Sequence, residues 1–204
     1  MSDCGDSCCG DVSKANAQEK RVLVIVLAIN AFMFVAEFSA GLYSHSTALL
    51  ADSLDMLADA LVYALGLYAL GKAAVMRTRA ALTSGLFQLA LGAGISVEVI
   101  RKLLIDIVPD AQTMSLFGVL ALVANTICFV LLTRYRDGDI NMRATWICSR
   151  NDMIANLGVL LAAWLVARTG SGLPDIFIGL LIASLVLKSA WGVIAQARSE
   201  LRSA

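Results

Sequence analysis

The sequence predicts an all-α, polytopic membrane protein with six transmembrane helices and both termini in the cytoplasm. Three observations lead there. Of the 204 residues, 59% are hydrophobic, and the mean hydropathy of +0.78 is far from that of an ordinary soluble domain. Charged residues make up 16% of the chain and gather between apolar runs. The runs are also long enough, since about 20 helical residues cross a hydrocarbon core about 30 Å thick. They cover residues 22–43, 47–71, 80–101, 113–133, 144–167 and 174–195.

Residues 1–20 read as a flexible polar tail carrying Cys4, Cys8 and Cys9. No apolar core precedes a cleavage site there, so it is not a signal peptide. The cysteine spacing fits no zinc finger; it suits either a tail that scavenges soft cations or a terminus without a role. Residues 21–197 form the expected six-helix domain. In the first run Asn30 and Glu37, seven apart, form a polar stripe that can line a cavity. The break at Ser44-His45-Ser46 is so short that the first two runs must form an antiparallel hairpin. The third run brings Gly85, Gly92 and Gly94, small residues suited to close packing within the chain or against a second copy. It ends in Glu98, Arg101 and Lys102, read as a solvated cluster at the outer interface. Pro109 and Pro174 fall in or beside turns, where a missing amide costs little. Cys128, in the fourth run, reads as a small apolar packing residue. The sixth run leaves only a short cytoplasmic tail, 198–204, and no room for a soluble C-terminal domain.

Basic residues set the orientation. One side collects Lys14, Lys20, Arg21, Lys72, Arg77, Arg79, Arg134, Arg136, Arg143, Arg198 and Arg202. The other has Arg101, Lys102 and Arg168, offset by Asp106, Asp110 and Asp175. The richer side is cytoplasmic, which places the protein in the cell's inner (plasma) membrane among lipid. A net charge of zero gives no footprint for nucleic acid. Neither a Walker loop nor a nucleophile elbow is present, so the chain is not expected to be an enzyme or to drive transport with ATP.

The chemistry sits in the second run. Asp52, Asp55 and Asp59 stay on one helical face, because each residue advances about 100° and positions 52 and 59 end about 20° apart. A charge in the bilayer interior costs at least about 2.5 kcal/mol, so this stripe must face protein, water or a cation. In the fifth run Cys148 and Asp152 are four apart and share a face. Two such pairs, Asp55–Asp59 and Cys148–Asp152, supply the four ligands a tetrahedral Zn²⁺-like ion needs. The mixed oxygen and sulfur set suits Zn²⁺, Cd²⁺ or Co²⁺ and disfavours Mg²⁺ and Ca²⁺. Asp52 is a further candidate ligand or a group that holds one. Asn156 extends the Cys148–Asp152 face by a turn and can orient a ligand, whereas Asn151 is rotated away. Arg150 points elsewhere and snorkels to the surface.

The run LLADSLDMLADALVY resembles the second-helix signature of the cation diffusion facilitators. In register, that family's ligand pair falls on Asp55 and Asp59, preceded by the motif aspartate at Asp52. MRATWICSRNDMIANLGVLLAAWL is similar to the fifth-helix signature, whose His-x-x-x-Asp falls on Cys148 and Asp152. Cysteine thus stands where the family carries histidine. A histidine-rich loop is missing too, the single histidine being His45 in the outer turn. The resemblance implies efflux of divalent metal from the cytosol in exchange for protons, with the metal as cargo and no tightly bound cofactor. It also implies a homodimer, which transmembrane contacts would have to hold. Shared ligands give the exchange a physical basis: burial favours a protonated carboxylate and a bound dication favours a charged one, so metal and proton compete. The competing reading is a membrane metal sensor or scaffold that binds without transporting.

Overall fold

A computed structural model of the chain describes residues 17–68, 74–105, 107–135 and 140–203, and every regular element there is an α-helix. In order these are α1 (Ala17–Ser44), α2 (Thr47–Tyr68), α3 (Ala74–Ile105), α4 (Ala111–Thr133), α5 (Ile140–Thr169) and α6 (Leu173–Ser203). Helix takes in residues on both sides of the expected 21–197 domain: α1 begins at Ala17, and α6 carries 198–203 as continuous helix. Cys4, Cys8, Cys9, Lys14, Lys72, Asp106 and Arg136 lie outside the described residues.

Among the described residues, five helices are long and apolar enough to cross a membrane, through Lys20–Ser44, Thr78–Leu104, Ala111–Thr133, Ser149–Thr169 and Leu173–Arg202. The sixth expected span, α2, has the length, since 22 residues rise about 33 Å. Its composition sets it apart, because three aspartates fall within that length. The packing resolves the conflict. α2 lies against α1, α3, α5 and α6, so its neighbours take the place of lipid on most of its surface. Ala48, Leu49, Ala51, Asp52, Ser53, Leu54, Asp59 and Tyr63 on α2 are all buried. Large apolar side chains instead point outward from the other helices, among them Phe32, Val35, Val97, Leu104, Val130, Phe177 and Leu185. In water such a surface would be a liability; in acyl chains it is solvated.

The α1–α2 hairpin forms as its two-residue break requires. His45 takes φ 56°, a left-handed conformation that a polar residue tolerates better than a β-branched one. The Ser46 amide then donates to the Gly41 carbonyl at 3.0 Å. α3 pairs with α6, and α4 with α5. Two of the small residues in α3 belong to the first of these contacts: a Cβ on Gly85 would stand 2.9 Å from Ile194 Cγ1, and one on Gly92 2.5 Å from Leu187 Cδ2. Their role is packing against α6. Gly94 has nothing within 4 Å. α6 also comes close to the α2 backbone, where a Cβ on Gly179 would meet the Thr47 carbonyl carbon at 2.8 Å and the Ala48 nitrogen at 2.9 Å.

One expectation fails at the end of α3. Glu98 and Arg101 do form an exposed ion pair at 2.6 Å, but Lys102 is only 1% exposed. Its ammonium donates to the His45 carbonyl and to Thr47 Oγ1, the latter at 2.7 Å, and lies 3.9 Å from Asp175 Oδ2. Asp175, also fully buried, accepts from Ser46 Oγ at 2.6 Å and from the amides of Thr47 and Ala48 at 2.7 and 3.0 Å. A carboxylate from α6 therefore caps the N-terminus of α2, where free amides and the helix dipole favour negative charge. Lysine was read as solvated because its neighbours are charged. The turn folding over it supplies the partners that let it be buried.

Candidate metal centre

Asp52, Asp55 and Asp59 face the bundle interior, as their spacing demands, but each meets a different side chain. Asp55, in the middle of α2, is partly buried, and its carboxyl group lies within hydrogen-bonding reach of Asp152 on α5. This is where the packing of α2 against α5 brings the two acidic signatures together. Asp52, one turn nearer the N-terminus of α2, accepts a hydrogen bond from Asn156 Nδ2 at 2.7 Å. Asn156 in turn accepts from Asn125 Nδ2 of α4 at 3.0 Å, so a polar strut crosses from α4 through α5 to α2. Asp59 accepts from the Tyr63 hydroxyl at 3.0 Å, an i,i+4 contact along its own helix.

α5 carries Cys148 one turn before Asp152, as the sequence requires, and the position of its thiol lies outside the described side chains. Among the described residues, no three side chains of His, Cys, Asp or Glu converge on one metal position. What is assembled is the Asp55–Asp152 pair, the α2–α5 half of the proposed set. Asn151 is exposed, turned away from the site as expected. Arg150, also exposed, has its guanidinium 5.9 Å from the Trp146 ring. Asn156 is fully buried and orients Asp52.

Three residues gain a significance that their own helices did not signal. Cys128 was read as packing only, having no acid at helical spacing on α4. It is buried, accepts weakly from Asn30 Nδ2 at 3.9 Å and lies close enough to Asp59 of α2 to feel its charge. Asn125 anchors the strut that reaches Asp52. Glu37 of α1 is fully buried and its carboxyl lies within hydrogen-bonding reach of that of Asp52, with no amide, hydroxyl or cationic donor on either oxygen. The Asn30–Glu37 stripe thus does face the interior. A seven-residue spacing could have exposed that stripe, but not the carboxyl across from it.

Residues 23–202 match the model of the cation efflux transmembrane domain. The chain is 31% identical over 200 residues to the zinc transporter ZitB of Pectobacterium atrosepticum, an alignment covering 91% of this chain and 62% of that protein. It is 25% identical over 194 residues to the cation efflux system protein CzcD of Alcaligenes sp., covering 89% of this chain and 61% of the relative. A cadmium, cobalt and zinc/H(+)-K(+) antiporter of Bacillus subtilis is 25% identical over 191 residues, covering 87% and 61% respectively. The chain thus spans about three fifths of the length of the curated relatives it matches.

Proposed function

The chain belongs to the cation efflux family, and from that premise we propose that it carries divalent transition-metal cations of the zinc, cadmium and cobalt class out of the cytosol in exchange for protons. One observation carries the reading: two acidic side chains, Asp55 and Asp152, from different helices meet inside a membrane bundle. Facing carboxylates in such a medium repel, and a shared cation is the direct compensation. Asp59 and Cys148 stand one turn away on the same two helices and complete a tetrahedral set. Asp52 and Asn156 hold the site's flank, and the Cys4/Cys8/Cys9 segment supplies soft metal from the cytosolic side.

In this cycle both termini are cytoplasmic. Metal enters from the cytosol as the charged carboxylates of Asp55, Asp59 and Asp152 accept it. When the helices carrying the site open outward, protons displace the metal, and the neutralised carboxyls return. The names of the relatives support the cargo class, and that of the Bacillus subtilis protein pairs metal with proton and potassium.

Everted membrane vesicles test the reading. An acid interior should drive uptake of Zn²⁺ or Cd²⁺, and Asp152→Asn should abolish it. Uptake indifferent to the pH gradient would remove the exchange. Metal binding without any flux would make the protein a sensor instead.

A further inference from the structure

Glu37 takes no part in the α2–α5 pair, yet its burial calls for compensation. It sits on the inward face of α1 with Asn30, Met33 and Ala40 and is 0% exposed. No amide, hydroxyl or cationic donor reaches either of its oxygens, and the one group within hydrogen-bonding reach is the carboxyl of Asp52, another acid. Across from it is Asp52, 1% exposed, whose Oδ2 receives an amide donor from Asn156. No Lys or Arg pairs with either group among the described residues; the ion pairs there join Arg101 to Glu98 and Lys102 to Asp175. Two facing acids therefore present four oxygens and share one neutral donor. A buried polar group without a partner is costly, and a buried charge more so, unless a counter-charge is present.

The position adds a direction. Asp52 precedes Asp55 by three residues, about 4.5 Å of helix rise, towards the α1–α2 turn. That turn is at the end of the bundle opposite both termini. A cation leaving the Asp55–Asp152 pair towards that end meets Asp52 and Glu37 next.

We propose that Glu37 and Asp52 form a second divalent-cation site, a relay one helical turn beyond the transport pair on the exit side. Its existence stands on the geometry of α1 and α2; only its role as an exit relay rests on the transport reading. Glu37 contributes both oxygens, Asp52 contributes Oδ1, and Asn125 and Asn156 are positioning residues that fix Asp52. The all-oxygen ligand set is harder than one containing the Cys148 thiolate, so the relay holds Cd²⁺ and Zn²⁺ less tightly. A weaker second station suits release, because a cation must be able to leave as well as enter.

The test is equilibrium binding of Zn²⁺ and of Cd²⁺ to the purified full chain, followed by flux in reconstituted vesicles. The native chain should bind a tight and a weaker ion. Glu37→Gln should remove the weaker ion, leave the tight affinity unchanged and slow flux at least about tenfold. Glu37→Asp should restore the weaker ion, which shows that loss in Glu37→Gln is not misfolding. Asp152→Asn should do the reverse of Glu37→Gln, losing the tight ion and keeping the weaker one. Unchanged stoichiometry in Glu37→Gln would overturn the proposal, and so would a variant that shifts only the pH profile of flux, since Glu37 would then hold a proton alone. If Asp152→Asn kept its tight ion and its flux, the transport reading would fail while the Glu37 result stood independently.

Discussion

Two clusters of buried charge lie along α2, and they are built on opposite principles. At its N-terminus, Asp175 accepts three hydrogen bonds and lies 3.9 Å from the ammonium of Lys102, which itself finds a carbonyl and a hydroxyl. Positive and negative charge match, and the helix end contributes its amides. In the middle of α2, Asp52, Asp55, Asp152 and Glu37 are all acids, and Asn156 donates its amide to Asp52. The first arrangement fastens the α1–α2 turn to α3 and α6. The second gathers acids from α1, α2 and α5, an arrangement that a cation would compensate under the proposed function. One helix thus carries a lock and a proposed binding site, and what separates them is the sign of the neighbouring side chains.

Substitutions should divide along that line. The largest loss of stability is expected in Asp175→Ala, which strands the Lys102 ammonium and uncaps α2; about 3–5 kcal/mol should go, visible as a lower unfolding midpoint in detergent. Replacing Lys102 and Asp175 together by methionine and leucine should recover much of it, because no charge is then orphaned. Asp55→Asn or Asp152→Asn should behave in the opposite way. Metal affinity should fall about 100-fold, roughly 2.7 kcal/mol by titration calorimetry, with folding stability equal to or above that of the native chain. Site variants that unfolded as readily as Asp175→Ala would erase the distinction.

A smaller effect tests how closely α6 must approach the lock. Gly179→Ala would press a methyl onto the α2 backbone at 2.8 Å and should cost about 1–3 kcal/mol, with metal affinity in the remaining folded protein unchanged. The smallest belongs to an exposed cap. Asp110 accepts from the amides of Gln112 and Thr113 at 3.4 and 3.0 Å and from the Thr113 hydroxyl at 2.5 Å. Asp110→Ala should cost about 1 kcal/mol. Those bonds, led by the Thr113 hydroxyl, hold its carboxyl below the usual carboxylate range. The contribution is therefore complete above the unfolded value of about 3.9 and fades as pH falls through the lower folded value. A midpoint in Asp110→Ala that tracks the native one across that acid range would remove the cap's contribution.

Much of the candidate site was visible before any tertiary contact. The face shared by Asp52, Asp55 and Asp59, the Cys148–Asp152 spacing and the turn around His45 follow from residues near one another in the chain. Lys102 was misplaced for a complementary reason. Its sequence neighbours Glu98 and Arg101 are exposed, while its partners come from 55 to 73 positions away, at Thr47, His45 and Asp175. Cys128 was discounted because its acidic neighbour, Asp59, belongs to another helix.

The sequence by itself determined that the chain is helical and membrane-embedded, how many helices there are, and which faces of the first, second and fifth are polar. Helical periodicity and the cost of charge in hydrocarbon act on local stretches, so a single chain records them. The tertiary structure alone decided that α2 is shielded by its neighbours, that Asp55 meets Asp152, that Glu37 meets Asp52 and that Lys102 is buried. Those depend on which helices adjoin and at what depth, and a periodic pattern is silent on both.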